Sequence, residues 1–296
     1  MSVRAIERVV APWPFEVVVV VDGSTDGTAD ALRALDVPFS LAVESQPNSG
    51  QAAARNRGAS IARGDIVLFL DDDMEPDPQI LVAHERAHRA GADAVVGHIP
   101  LHPDSPQSIM RAGVEAWAEK RGARLRVHDG PLELSDLLTG QLSIRRDLFG
   151  ELGRFDVQFT AGGSFGGEDI DFLHRAQVAG VKVVFAPDAI SRQRYVVTPA
   201  QYLHQWHDAG RSDAALTAKH PELADELRRA HRFDRRLTRV VLWPLAGHPR
   251  VARPIRWVLR HVALAAARRP PWGLRRTTLF FRVRDLEYWA GARSQG

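Results

Sequence analysis

The sequence predicts an α/β fold: a mostly parallel sheet flanked by helices, followed by a C-terminal helical extension. Three observations carry that prediction. The apolar runs Val17-Val18-Val19-Val20-Val21 and Ile66-Val67-Leu68-Phe69-Leu70 end abruptly in carboxylates, at Asp22 and at Asp71-Asp72-Asp73. Such runs read as buried strands whose C-terminal ends open on a ligand crevice. Strand-like and helix-like segments alternate through the first half, as parallel α/β sheets require. After Pro199 the pattern becomes helical and increasingly basic, interrupted at Pro221, Pro244, Pro249, Pro254 and Pro270-Pro271.

Taken in order, residues 4–11 read as a helix end, stopped by Pro12 and Pro14. Residues 15–21 form a strand. Asp26 can accept the free amides of a helix over 27–35, and 39–44 is a short strand. Gly50 opens a helix to about Ala62, and Gly64 ends it. After the strand at 66–70 comes a helix from Pro78 to Ala90, closed by Gly91, with proline favourable in a first turn. A strand at 93–99 follows. Residues 100–140 lack a regular pattern. Residues 141–145 suit a strand, Glu168 to Ala179 a helix ended by Gly180, and 181–185 a final strand.

Composition sets bounds. The 296 residues suffice for one large domain plus an appendage. There is no cysteine, which excludes disulfides, thiolate metal sites and cysteine nucleophiles and fits a cytoplasmic location. Met1 to Glu16 holds no apolar signal-peptide core, and no run approaches the ~18 apolar residues that span a bilayer. Residues 228–296 hold 17 arginines and three acids, a net +14 that leaves −11 for the rest of a chain whose total is +3. An acidic half suits metal binding. A basic tail suits an anionic partner, and lipid headgroups are preferred here to nucleic acid.

Acids gathered at a strand end repel each other unless a cation or donor-rich ligand compensates them. The pattern therefore points to a divalent metal, Mg2+ or Mn2+, and a phosphate-bearing substrate. Arg55, early in the helix opened by Asn48-Ser49-Gly50, suits a phosphate or a base carbonyl. Glu168 and Asp169 follow a glycine-rich stretch, Gly162 to Gly167, that lets backbone approach a ligand closely.

Five segments in order now matter together: Asp22-Gly23-Ser24-Thr25-Asp26-Gly27-Thr28, Ala54-Arg55-Asn56-Arg57-Gly58, Gly64-Asp65, Leu70-Asp71-Asp72-Asp73 and Gly167-Glu168-Asp169-Ile170-Asp171. They resemble the family-2 nucleotide-sugar glycosyltransferases of GT-A fold, over roughly residues 3–212. Gly140 to Arg146 and Gly153-Arg154-Phe155-Asp156 resemble that family's acceptor-side segments. The resemblance implies a nucleotide diphosphate sugar as donor and a hydroxyl acceptor that is lipid-linked, a glycan or a small molecule. It implies metal contacts from Asp73 and Asp71, and donor contacts from Asp22, Ser24, Arg55, Asp71, Asp72 and Arg211. Asp169 becomes the catalytic base of an inverting transfer, with Glu168 second to it. Gly140, Gly166 and Gly167 fall on the acceptor side. The processive members' Gln-x-x-Arg-Trp is missing, which implies transfer of a single sugar. Residues 1–198 then form the catalytic domain, in which 1–97 bind the donor and 98–198 the acceptor, and residues 199–296 form the arginine-rich extension.

The family's first strand has no counterpart in this reading, because the opening residues already look like the helix after it. Adding upstream residues is expected to raise stability and activity together. That gap favours one rival, a non-catalytic nucleotide-sugar-binding or scaffold protein. A nucleotidyltransferase is a second rival, but no lysine-containing triphosphate loop follows the first strand. His84-Glu85-Arg86-Ala87-His88 matches a zinc-protease motif, yet its helix follows the Asp-rich turn and reads as a solvated face. In the tail, Arg253, Arg256 and Arg260 recur at helical spacing between Ile255, Val258, Leu259 and Val262. Two readings stand: the tail lies on an anionic membrane surface with these arginines toward it, or its helices simply pack on the catalytic domain and the acceptor is soluble; either way Pro254 is expected in the helix's first turn.

Overall fold

The computed structural model describes residues 3–127, 130, 132, 133, 136, 138–161, 166–230, 236, 238–268 and 270–294. The Gly162–Phe165 stretch read above as acceptor-side loop lies outside them. The chain divides into two compact units. The first comprises residues 1–105, 113–164 and 168–195, and the second 106–112, 165–167 and 196–296.

The first unit opens with a 3-10 helix, Val3–Arg8. Strand β1 (Glu16–Asp22) pairs in parallel with β2 (Ser40–Gln46), joined by α1 (Thr28–Arg33). Gly27, not Asp26, is the N-cap of α1, and the Asp26 carboxylate accepts the Thr28 amide at 3.1 Å from one position further out. Helix α2 (Gln51–Ile61) leads into β3 (Ile66–Leu70), the short β4 (Met74–Pro76), α3 (Ile80–Arg89) and β5 (Ala94–His98). Helix α4 (Arg111–Arg126) follows, then β6 (Gln141–Arg145), α5 (Arg146–Glu151), α6 (Glu168–Val178) and β7 (Val183–Gln193).

The α/β class and the helical C-terminal region are as expected. Strands β3 to β7 form a second sheet in the order β3-β6-β5-β7-β4. Its directions are mixed, which corrects the expectation of a mostly parallel sheet. Only β5 and β7 run parallel there, while β3–β6, β5–β6 and β4–β7 are antiparallel. The reversal comes from β6, which the chain inserts between β3 and β5 after the excursion through α4. Strand β7 is longer than expected because its first half pairs with β5 and its end with β4.

Among the described residues β1 pairs on one side only, with β2, and β3 on one side only, with β6. A cavity of about 730 Å3 is lined by Glu16 to Val20 of β1, by Ile66 to Leu70 of β3, and by Ala54, Arg55 and Gly58 of α2. The core on the other side of β3 is aromatic. Phe69, Phe149, Phe155 and Phe172 form a cluster with neighbouring ring centroids 4.9–5.2 Å apart. Tilted and edge-on pairs of this kind add about 0.5–1.5 kcal/mol each beyond their burial.

The second unit is helical: α7 (Pro199–Lys219), α8 (Ala224–Ala230), α9 (Trp243–Ala246), α10 (Pro249–Ala267) and α11 (Leu274–Ala292). Thr198 and Gln201 form a reciprocal capping box at the start of α7. Helices α7 and α11 cross at two glycines: a Cβ on Gly210 would lie 2.0 Å from the Tyr288 carbonyl oxygen, and one on Gly291 1.9 Å from that of His207. Beside the crossing, the Tyr288 hydroxyl donates to Asp213 at 2.8 Å. Pro254 lies inside α10 and not in its first turn. No described helix is long and apolar enough to cross a membrane.

Candidate active site

The acidic end of β3 meets the acidic start of α6 through one arginine. Arg55 projects from α2 and donates to Asp71 Oδ1 at 2.6 Å and to Glu168 Oε1 at 2.9 Å. Three segments far apart in sequence thus meet on one guanidinium: the α2 helix, the end of β3 and the start of α6. The guanidinium also lies over the Phe155 ring, 5.7 Å from its centroid. Burial works against its charge, but the fields of Asp71, Glu168 and Asp169 outweigh burial and hold the Arg55 pKa above its ordinary value. A buried charge so paired is kept by its partners, and losing one partner leaves the other uncompensated.

Each acid has a distinct setting. Glu168 is 2 % exposed, and its Oε1 also accepts from the Gln51 amide at 3.0 Å. Its Oε2 is buried without a hydrogen-bond partner. Asp169, next along α6, accepts the Ile170 amide at 2.8 Å. Burial, reinforced by the neighbouring Glu168 charge and opposed by Arg55, pushes the Asp169 carboxyl up to about 7. Asp73 accepts from the Gln193 side chain through Oδ2 at 2.9 Å, and its Oδ1 is buried without a partner. Burial raises its pKa, the Gln193 bond lowers it, and Asp71 and Asp72 add to the rise. Asp72 is exposed.

Gly140 owes its place to Asp71. A Cβ there would stand 2.7 Å from Asp71 Oδ2, and the Gly140 carbonyl accepts the Asp71 amide at 3.1 Å. Only a residue without a side chain lets the turn before β6 close on that carboxylate. Asp22 is engaged locally: Oδ1 accepts from the Ser49 amide at 2.8 Å and the Gln46 side chain at 2.9 Å, and Oδ2 from the Gly50 amide at 2.9 Å. It ties the end of β1 to the start of α2. Ser24 is exposed beyond it. Gly166, Gly167 and the exposed Arg211 belong to the second unit.

Four supporting residues escaped the sequence reading. Gln51 shares Glu168 with Arg55, and its spacing of four on α2 was a readable signal. Asn56 exchanges two bonds with the Phe155 backbone, at 2.8 and 3.1 Å, and so fixes the loop that carries that ring. The Thr160 hydroxyl accepts the Ala52 amide at 3.1 Å. Gln193, at the end of β7, had no sequence signal at all.

The zinc-protease motif takes another role. His84 Nδ1 and His88 Nε2 both lie 2.8 Å from the Ser143 hydroxyl of β6. His84 is buried, which corrects the expectation of a solvated face, and burial lowers its pKa to about 3. The pair locks α3 to the sheet in neutral form.

The pattern described as glycosyl transferase family 2 covers residues 3–153. Validoxylamine A glucosyltransferase of Streptomyces hygroscopicus subsp. limoneus is 30% identical over 250 residues, which are 73% of this chain and 52% of that one. The chain thus spans about half the length of the curated relatives it matches. Two solved structures share the fold. S. aureus TarS 1-349 in complex with UDP has a TM-score of 0.54 at 18% identity, covering 99% of this chain and 85% of that one. Mannosyltransferase PcManGT from Pyrobaculum calidifontis, in complex with GDP-Man and Mn2+, has a TM-score of 0.56 at 19% identity, covering 94% and 77%. With a family pattern that spans half the chain and takes in both α2 and the Asp-rich turn, this chain belongs to glycosyl transferase family 2.

Proposed function

We propose that the protein transfers a single sugar from a nucleotide diphosphate donor to an acceptor hydroxyl, with a divalent metal and with inversion at the anomeric carbon. The observation that carries this reading is the Arg55 bridge, which joins the acidic end of β3 to the acidic start of α6. A donor needs both: compensation for its diphosphate at one end and a proton acceptor for the incoming hydroxyl at the other.

The residues present fit a hard cation. Asp73 Oδ1 is buried without a partner, and the charges of Asp71 and Asp72 crowd it. Asp73 and Asp71 would hold Mg2+ or Mn2+, with diphosphate oxygens and water completing the shell. The bound ion would neutralise charge building on the leaving diphosphate. The neighbour solved with GDP-Man and Mn2+ supports this reading. Arg55 orients Asp71 and Glu168, while Asp22, Ser24, Asp72 and Arg211 serve the donor. Asp169 takes the acceptor proton at its carboxylate, and a pKa lifted toward neutrality makes it a better base than free aspartate. Glu168, held through Oε1 by Arg55 and Gln51, positions the pair. Gly166 and Gly167 line the acceptor side. Gly140 does so only beyond its contact with Asp71.

We assign donor binding to residues 1–97, acceptor binding to 98–198 and the extension to 199–296. A cytoplasmic setting and an anionic surface for the basic helices complete the proposal. One observation favours a non-catalytic binding role instead: the cavity between the open edges of β1 and β3 is lined by Arg55 and Asp72. Turnover of UDP- and GDP-sugars, followed by nucleotide release with and without chelator, separates the two. We expect release that Mg2+ or Mn2+ restores after chelation and that Asp73→Asn abolishes while the fold is kept. Nucleotide bound but never released would establish the binding role. Full activity of Asp73→Asn in chelator would remove the metal assignment.

A further inference from the structure

Helix α10 turns the wrong face outward for a helix that merely packs. Val251, Val258 and Val262 are 53%, 50% and 48% exposed, and Ile255 is 37% exposed. At 3.6 residues per turn these four positions fall within roughly 60° of one another, so they form one apolar ridge. The arginine row lies across the helix from it. Arg256 donates to Glu287 Oε2 at 2.8 Å, and Arg260 lies 3.6 Å from Glu287 Oε1 and donates to the Ala200 carbonyl. Glu287 is 2% exposed. This corrects the expectation for Arg256 and Arg260, which a buried carboxylate on α11 holds in, while Arg253 is exposed as expected and the valines are left outside.

We propose that this ridge is a membrane-docking face that seats α10 in the headgroup boundary of an anionic bilayer. The inference deepens the surface assigned above to the basic helices, and it does not depend on the transfer reaction. Charge chooses the occupant. Helix α10 has four arginines and no acid. Arg250 and the C-capping Arg268 are exposed, and the helical period puts both about 100° to one side of the ridge. Trp257, 64% exposed, falls on that same flank. An apolar ridge flanked on one side by arginines, with an exposed tryptophan farther round on that side, suits an interfacial helix, whose cations and rings reach headgroup level. A second copy of this chain suits the ridge less well. Two such helices packed ridge to ridge would bring two basic flanks together with no acid on either to offset them.

The experiment is co-sedimentation with vesicles of phosphatidylcholine mixed with phosphatidylglycerol, and with phosphatidylcholine alone, in the absence of donor. We expect pelleting with the mixed vesicles only. Val258→Asn/Val262→Asn should cut that partition about tenfold or more, because two aliphatic side chains no longer leave water on docking. Arg250→Gln/Arg268→Gln should weaken binding less and flatten its salt dependence. A second pair, Val251→Asn/Val262→Asn, repeats the test if the first pair lowers the melting temperature. Equal recovery in the supernatant with both lipids overturns the proposal. Undiminished pelleting of both valine variants overturns the ridge and leaves adhesion by arginine alone. A lipid-independent dimer that the valine variants dissolve, without vesicle binding, assigns the ridge to a second copy. Nucleotide release in lipid-free buffer should be the same for parent and valine variants, so failure of docking and failure of the transfer reading remain distinct.

Discussion

Asp169→Asn should make the protein more stable at neutral pH while disabling it. The Asp169 carboxyl rises from an ordinary 3.8 to about 7, because burial and the Glu168 charge disfavour its ionised form more than Arg55 favours it. The folded chain therefore binds a proton more tightly than the unfolded chain does. Stability from this group is fully present below pH 3.8 and is lost as pH rises through 7. A pKa that differs by one between the folded and unfolded chain corresponds to about 1.4 kcal/mol, so the parent forfeits up to roughly 4 kcal/mol across that window. Asparagine cannot ionise and keeps almost the same shape. Urea unfolding at steps between pH 5 and pH 8.5 should show the parent weakening as pH rises and the variant doing so less. The variant should be the more stable of the two above neutrality. Turnover should fall by about 10²–10⁴ with donor affinity kept, the usual consequence of removing a general base. Parent and variant with parallel stability profiles would refute the pKa argument. A variant less stable than the parent at pH 8.5 would show that Asp169 serves mainly to cap α6.

Two further outcomes follow from the same geometry. Gly140→Ala puts a methyl 2.7 Å from Asp71 Oδ2; it should weaken donor binding through the displaced carboxylate, read by titration with nucleotide, and unchanged affinity would show that the turn yields instead. Adding in trans a peptide that carries one apolar strand should raise the melting temperature, since among the described residues β1 and β3 each leave one edge unpaired beside the cavity; an unchanged melting temperature would show that the cavity does not receive a strand.

The strand ends were legible because the sequence changes character there. Ile66–Leu70 is apolar throughout and Asp71 to Asp73 is not, so β3 and the acids at its end could be placed to the residue. Sheet direction was not legible in the same way. It depends on where β6 inserts, and the path there runs through α4, whose Gly113, Gly122 and mixed charges carry little helical period. Asp22 shows a different limit. A carboxylate at a strand end was expected to serve a ligand, and this one accepts the Ser49 and Gly50 amides, because the next helix starts within its reach. His84 was readable in principle: Ile80, Ala83 and His84 make the buried stripe of α3 at spacings of three and four. What the sequence lacked was the Ser143 hydroxyl that makes a buried imidazole tolerable.

Helix α10 shows why amphipathicity alone does not orient a helix. Its sequence carries two opposed rows, Arg253, Arg256 and Arg260 on one side and Val251, Ile255, Val258 and Val262 on the other, and either could face the protein. Periodicity fixes that the rows are separate and says nothing about which is inside. The decision falls to Glu287, on the next helix. A carboxylate buried there without cations would carry a desolvation cost of several kcal/mol, whereas four exposed aliphatic side chains cost far less in water. Turning Arg256 and Arg260 inward is therefore the lower-energy arrangement, while Arg253 stays exposed. Its by-product is an exposed apolar ridge. The Arg55 site obeys the same rule. There too a guanidinium goes in beside a buried carboxylate, Glu168, with the half-buried Asp71 as its second partner, and there too the sequence shows the arginine and the acids but not their meeting. Both units of this chain place arginine by the acids it must neutralise. In the first unit the acids outnumber the arginine, as the proposed cation site requires; in the second the arginines outnumber the acid, as the proposed anionic surface requires.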